Sequence, residues 1–129
     1  MATGGVERLR RRADYLRVQA AERRVALPGL LLQAAPGEAG HRRVGFTASR
    51  KVGNAVARNR ARRRLKALAG EILPMHAAAG HDYVLVARQA TPARDFQALR
   101  RDLENALKKL KLWQSAVPVA AQPGEGSAA

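Results

Sequence analysis

Apolar residues recur along the chain with two different periods, and these periods divide it into elements. Between Arg43 and Ser49 (RVGFTAS) the period is two. Val44, Phe46 and Ala48 face one way, and Arg43, Gly45, Thr47 and Ser49 the other, which predicts a half-buried strand. From about Asn54 to Met75 the period is helical. At 100° per residue Ala61, Leu65, Leu68 and Ile72 fall within about 60° of one another and predict a buried stripe. Asn59, Arg62, Arg63 and Lys66 fall on the opposite side, with Arg60 and Arg64 flanking. Asn54 is a good N-cap for this helix, and Pro74 and Gly80 punctuate its end. Phe96, Leu99, Leu103, Leu107 and Leu110 repeat at helical spacing, and Lys108, Lys109 and Lys111 complement the dipole of the last turn. Thr91–Pro92 suits the N-cap and first position of that helix.

Three further segments complete the order. Val6–Ala21 reads as a short basic helix with Leu9, Tyr15, Leu16 and Val18 on its apolar side. Val25–Ala34 reads as a strand weakened by Pro28 and Gly29, and the turn Pro36–Gly40 would join it to the next strand as a hairpin. Tyr83–Arg88 (YVLVAR) is a short apolar run that predicts a buried strand. The order helix-strand-strand-helix-strand-helix predicts an α+β fold. It would be a two-layer sandwich with a sheet of at most four strands, covered on one face by helices. Residues 1–114 are read as one domain with its core at about 8–112. Residues 115–129 (SAVPVAAQPGEGSAA) read as a disordered tail.

Charge changes the picture from fold to partner. The 129-residue chain has a net charge of +14, far more than solubility requires, so polyanions are the expected partners. Aromatics are only 4%, which leaves the core to Leu, Val, Ile and Ala. There is no cysteine, hence no disulfide or thiolate metal site. No apolar run reaches the roughly 20 residues of a membrane span. An anionic-membrane binder would need an apolar face beside its cations, whereas these stripes are needed for the core, so no membrane partner is expected. The N-terminal segment lacks the apolar stretch of a secretory signal, and cytoplasm is the expected compartment.

The cations are concentrated. No acid occurs from Ala39 to Gly70, a window that holds Arg42, Arg43, Arg50, Lys51, Arg58, Arg60, Arg62, Arg63, Arg64 and Lys66. Arg58, Arg62 and Lys66 form an i, i+4, i+8 ridge, and guanidinium groups grip phosphates through paired hydrogen bonds. Like charges at this spacing destabilise an isolated helix, so a merely solvated face would not need them. Asn59, among the cations, could order water around a metal ion or bond a base edge or 2′-hydroxyl. Elsewhere the sequence offers little chemistry. His41, His76 and His81 are too scattered for a metal motif. Asp82 reads as a turn or cap, Ser49 has no paired base, and Trp113 reads as a lid on the core. The carboxylates form no acid/base pair, so no catalytic residue is assigned.

The block RVGFTASRKVGNAVARNRARRRLK (Arg43–Lys66) resembles the signature of the bacterial ribonuclease P protein subunit, with the Arg58-Asn59-Arg60 triplet as its hallmark. Arg12–Tyr15, His81–Arg88 and Phe96–Leu110 resemble other elements of that family in order and spacing, so the likeness spans about residues 8–112. The resemblance implies an α+β sandwich with a left-handed crossover around the central helix. It implies a subunit that contributes no catalytic side chain to removal of 5′ leaders from precursor tRNA. Chemistry would belong to the RNA subunit and its Mg²⁺. The implied partners are the catalytic RNA and precursor tRNA, with no obligate protein partner. RNA-subunit binding would fall on Arg50, Lys51, Asn54, Arg58, Asn59, Arg60, Arg62, Arg63 and Lys66. The leader cleft, between the sheet and the N-terminal helix, would fall on Tyr15, Val18, Phe46, Thr47 and Arg88.

The sequence departs from the family at the cleft. Gln19 stands where a second aromatic is common, Glu22 where a glycine is, and Leu30–Gln33 carries no aromatic. Base stacking is worth roughly 1–3 kcal/mol. Leader binding here is therefore expected to rest on charge and backbone contacts more than on stacking. The competing reading is a general basic RNA-binding protein or RNA chaperone, against which the Arg-Asn-Arg block inside a helix between two strands argues.

Overall fold

The structure, a computed structural model, describes residues 6–115. The elements are β1 (Val6–Arg8), α1 (Arg12–Ala20), β2 (Arg23–Ala26), β3 (Leu30–Pro36), β4 (Arg42–Thr47), α2 (Ala55–His76), β5 (His81–Ala87) and α3 (Phe96–Lys109). The fold is α+β, with one five-stranded sheet in the order β1-β4-β5-β3-β2. Most of the segment 115–129, read as a disordered tail, lies outside the described residues.

The strongly periodic elements form where expected. Asn54 Oδ1 caps α2 by accepting from Ala57 N at 2.9 Å. Ala61, Leu65, Leu68 and Ile72 are all buried, joined by Ala69 and Leu73. Leu99, Leu103 and Leu107 of α3 are fully buried beside them. These side chains close on Leu30, Leu32, Val44, Phe46, Tyr83 and Leu85 from one face of the sheet, and this is the main core. Each such leucine, taken out of water, contributes roughly 1.5–3 kcal/mol. The Tyr83 hydroxyl is satisfied by donating to Ala78 O at 2.6 Å.

Several expectations need correction. Val6–Arg8 is not helical: it pairs in parallel with β4, adding the fifth strand, and Leu9 N donates to Val44 O at 2.9 Å. The helix starts only at Arg12, after Arg11 in an extended conformation. Second, Val25–Ala34 is not one strand. Pro28 and Gly29 turn the chain between Leu27 and Leu30, whose backbones bond at 2.8 Å, so β2 and β3 form an antiparallel hairpin. Third, β3 and β4 are not a hairpin. β5 lies between them, antiparallel to β3 and parallel to β4, and α2 is the crossover that joins the parallel pair. Fourth, α3 is capped by Asp95, whose carboxylate accepts from Ala98 N at 3.1 Å. Thr91 is instead buried: its hydroxyl accepts from Arg88 N at 2.7 Å and donates to Gly29 O at 2.6 Å. Pro74 sits inside the last turns of α2 rather than ending it.

The helices do not all share one face. α1 packs on the opposite side, where Val18 meets Leu9, Ala35 and Val84 in a second, smaller core. Two constraints hold it there. The Tyr15 ring lies so close to Gly45 that a Cβ at Gly45 would sit 2.5 Å from it. In addition, Asp82, 1% exposed, receives a two-pronged hydrogen bond from Arg43 at 2.9 and 2.7 Å and another from Arg17 of α1. Arg17 also donates to Pro36 O at 2.8 Å, and Asp14 of α1 lies 3.6 Å from Arg43. Asp82, read from sequence as a turn or capping residue, is thus the buried anchor of α1.

Burial opposes ionisation of Asp82, but the bonds from Arg43 and Arg17 outweigh it and hold the carboxyl below its ordinary pKa. A lowered folded-state pKa stabilises the fold above the unfolded-state value, and the gain is lost as pH falls through the folded-state value. Asp82→Asn is expected to lower stability by about 2 kcal/mol at pH 7, because two partly solvated arginines lose a buried partner. In urea unfolding across pH, the gap between wild type and variant should be full at neutrality and shrink below about pH 4.

Candidate nucleic-acid interface

The residues expected to bind the RNA subunit lie on one ribbon. Arg50 and Lys51 stand in a 3₁₀ turn, Arg50–Val52, and the remainder on Asn54 and the first three turns of α2. The turn is set by Ser49 Oγ, which accepts from Lys51 N at 3.3 Å, and by Gly53 at φ +145°, a conformation that a side chain disfavours. Because α2 buries one stripe, its opposite side is left to solvent, and Asn59, Arg60, Arg63 and Lys66 are all exposed.

Not every cation on the ribbon is free to grip a ligand. Arg58 is half-buried and donates to Gly53 O at 2.8 Å, bracing the turn it follows. Arg62 donates to Asn59 Oδ1 at 2.6 Å, which orients the amide in the middle of the triplet. Arg64 is structural: it donates to Thr91 O and Pro92 O, both at 2.8 Å, and to Arg94 O, and its guanidinium lies 5.9 Å from the Phe96 ring centre. Arg94 in turn pairs with the buried Asp102 at 2.7 Å. Neither partnership shows in local sequence, because the two ends lie some thirty residues apart or across a turn.

The residues expected to form a leader cleft divide between the two faces of the sheet. Tyr15, Thr47 and Arg88 border the α1 face. Val18 is fully buried under α1 and offers no surface. Phe46 is 8% exposed and belongs to the main core on the α2 face, so it cannot line the same cleft as Tyr15. The alternation in Arg43–Ser49 had already separated Phe46 from Thr47; which side meets α1 depends on sheet order.

What the α1 face leaves uncovered is a groove. One part, of about 740 Å³, is floored by Leu31 and Val86 and bordered by Ser49, Lys51 and Arg88. A second depression lies between Thr47 and Tyr15, with Arg10 and Arg12 on its rim. Thr47 pairs with Val86 across β4 and β5, so the two depressions meet on the same face. The floor is aliphatic and the rims carry cations, an arrangement suited to a single strand whose phosphates meet Arg and Lys. Leu31, Val86, Arg10 and Arg12 were missed by sequence reasoning, since the pairing register places the first two and the docking of α1 the others. Lys51 borders this groove as well as the α2 ribbon, and joins the two.

A family model described as Ribonuclease P matches residues 5–111. The chain belongs to the ribonuclease P protein family. It is 50% identical over 114 residues to the ribonuclease P protein component of Paramagnetospirillum magneticum, covering 84% of this chain and 86% of the relative. The corresponding protein of Ruegeria pomeroyi is 47% identical over 113 residues, covering 84% and 90%. Among solved structures, the Staphylococcus aureus RNase P protein matches with a TM-score of 0.69 at 27% identity, covering 83% of this chain and 97% of that one. The Thermotoga maritima RNase P protein matches with a TM-score of 0.68 at 25% identity, covering 80% and 96%. RNase P membership supplies what charge alone could not: it ties the chain to tRNA processing. Among the described residues no helix is long and apolar enough to cross a membrane.

The division of the arginines is testable by thermal or urea unfolding. Arg64→Ala should lose about 2 kcal/mol, because three backbone carbonyls forfeit their donor. Arg60→Ala and Arg63→Ala should stay within about 0.5 kcal/mol of wild type, as exposed positions do.

Proposed function

We propose that this protein is the RNA-binding subunit of ribonuclease P, which assists a catalytic RNA in endonucleolytic removal of 5′ leaders from precursor tRNA. Family membership carries the reading, and the placement of cations on two separate surfaces of one sheet supports its details. The exposed cations of α2 and the turn before it neutralise phosphates of the RNA subunit. The α1-face groove holds the leader, through Lys51, Arg88 and Arg12 at its rims and Thr47, Val86 and Leu31 on its floor. With Tyr15 as its one aromatic, the groove relies on charge and backbone contacts.

The protein supplies no catalytic side chain in this reading. Asn59 does not fit a directly held Mg²⁺: its Oδ1 already accepts from Arg62, and its neighbours are cations. Mg²⁺ is assigned to the RNA. Arg60, Arg63, Lys66, Arg50 and Lys51 lower the charge density of that RNA where they touch it, and so reduce the divalent ion it needs to fold and bind substrate.

The test is precursor-tRNA cleavage at low Mg²⁺ by a bacterial RNase P RNA, with and without the protein. Cleavage at the mature 5′ end should depend on the protein, with none from protein alone; no stimulation by folded protein would overturn the proposal. Arg60→Ala with Arg63→Ala should weaken assembly with the RNA by roughly tenfold and flatten its salt dependence by about two phosphate contacts. Tyr15→Ala should raise KM for precursor several-fold and leave assembly unchanged. If it abolished assembly instead, the division of the two surfaces would be wrong.

A further inference from the structure

Phe46, displaced from the leader groove by its position in the sheet, has surroundings of its own on the α2 face. A pocket of about 260 Å³ opens there between β1, β4 and α2. Val6, Val44 and Phe46 give it an apolar floor, and Arg8, Lys66 and Gly70 form its border. The Arg8 guanidinium lies over the Phe46 ring, 5.2 Å from its centre and in cation–π range, so a flat cation backed by a buried ring stands at the edge of the cavity.

Two observations say what fits. The first is charge: both ionisable residues on the border are cations. The acids nearest in sequence are engaged elsewhere, Glu7 with His41 at 3.3 Å and Glu71 with Arg100. The second is continuity. Asn59, Arg62, Lys66 and Gly70 recur at i, i+3, i+7 and i+11, so one row of α2 leads from the Arg-Asn-Arg triplet to the pocket. A phosphate backbone following that row arrives at an apolar, aromatic-floored cavity, which accepts the one part of a nucleotide that is flat and weakly solvated.

We infer that this pocket binds an unpaired base of the RNase P RNA, stacked on the Arg8 guanidinium that Phe46 backs while Lys66 meets its phosphate. The inference rests on the reading of α2 as the RNA-subunit surface, and adds a base-binding site to a contact otherwise made with phosphates. The RNA subunit is the source rather than the leader, because the pocket lies on the opposite face of the sheet from the groove bordered by Tyr15 and Thr47.

Gly70 makes the test clean. A Cβ there would have nothing within 4 Å, so the fold does not require glycine at this position. Glycine is also a poor helix former, so its replacement should not weaken α2. Side chains on a helix lean toward its N-terminus, so a ring at position 70 would lie toward Lys66 and cover the opening. The experiment measures binding of the cognate RNase P RNA, with base-specific chemical footprinting of the complex, for wild type, Gly70→Ala, Gly70→Phe and Arg8→Ala. Thermal unfolding of each checks the fold.

Gly70→Ala should melt at or above the wild-type temperature and keep its affinity. Gly70→Phe and Arg8→Ala should bind roughly tenfold more weakly, the scale of one lost stacked base. Both should restore reactivity at the same unpaired base that wild type protects. Wild-type affinity and an unchanged footprint in folded Gly70→Phe would overturn the pocket and leave the basic-helix reading standing. If Arg60→Ala with Arg63→Ala also bound as tightly as wild type, the reading of α2 would fall, and the pocket with it.

Discussion

A carboxylate buried between two arginines fixes what the rest of this molecule can do. Asp82 sits in the central strand with almost no exposure and accepts from Arg43 of β4 and Arg17 of α1. A lone carboxylate there would be costly, and the two guanidinium groups make its charge tolerable. The same bonds tie the short helix α1 to the sheet, although only Val18 of that helix is fully buried. So small an apolar contact would hold a helix loosely. With the ion pairs in place, α1 covers only part of its side of the sheet, and the strip along Thr47, Val86 and Leu31 beside it is a groove. The electrostatic anchor thus determines where the bare surface lies.

A second constraint acts on the opposite face. The aliphatic stripe of α2 must be covered, which fixes the rotation of the helix and turns Asn59, Arg60, Arg63 and Lys66 to solvent. Cations that repel one another are a poor choice for helix stability, yet none on this ribbon has an acidic partner among the described salt bridges. Those with structural work, Arg58 and Arg64, bond to backbone carbonyls instead of acids. The helix therefore keeps a strong unneutralised field while some of its arginines brace the loops beside it. A sheet with α2 on one side and α1 on the other gives the protein two basic surfaces that do not compete, with Lys51 where they meet.

How much of this was legible beforehand follows from the range of each interaction. The buried stripes of α2 and α3, the Asn54 cap and the alternation of β4 are local, and they were readable from spacing. The Arg-Asn-Arg block gave the family and the exposed basic ribbon of α2. What the sequence concealed depends on partners far away in the chain. Val6–Arg8 is a strand only because β4 offers it an edge. Pro28–Gly29 looked like damage to one strand and is the turn between two. Phe46 and Thr47 were correctly set on opposite sides, but the side that meets α1 depends on β5 entering between β3 and β4. The roles of Asp82 and Arg64 required contacts that no local window contains.

The position of β5 has a consequence for how the chain is made. It is the middle strand of the sheet and the last strand in sequence, so the ribosome delivers β3 and β4 well before the strand that joins them. Until residues near Ala87 emerge, both present unpaired backbone edges of the kind that recruit other chains. The helix that separates β4 from β5 in sequence is the most cationic helix of the protein. A nascent chain in this state has exposed strand edges and a strong positive field at once.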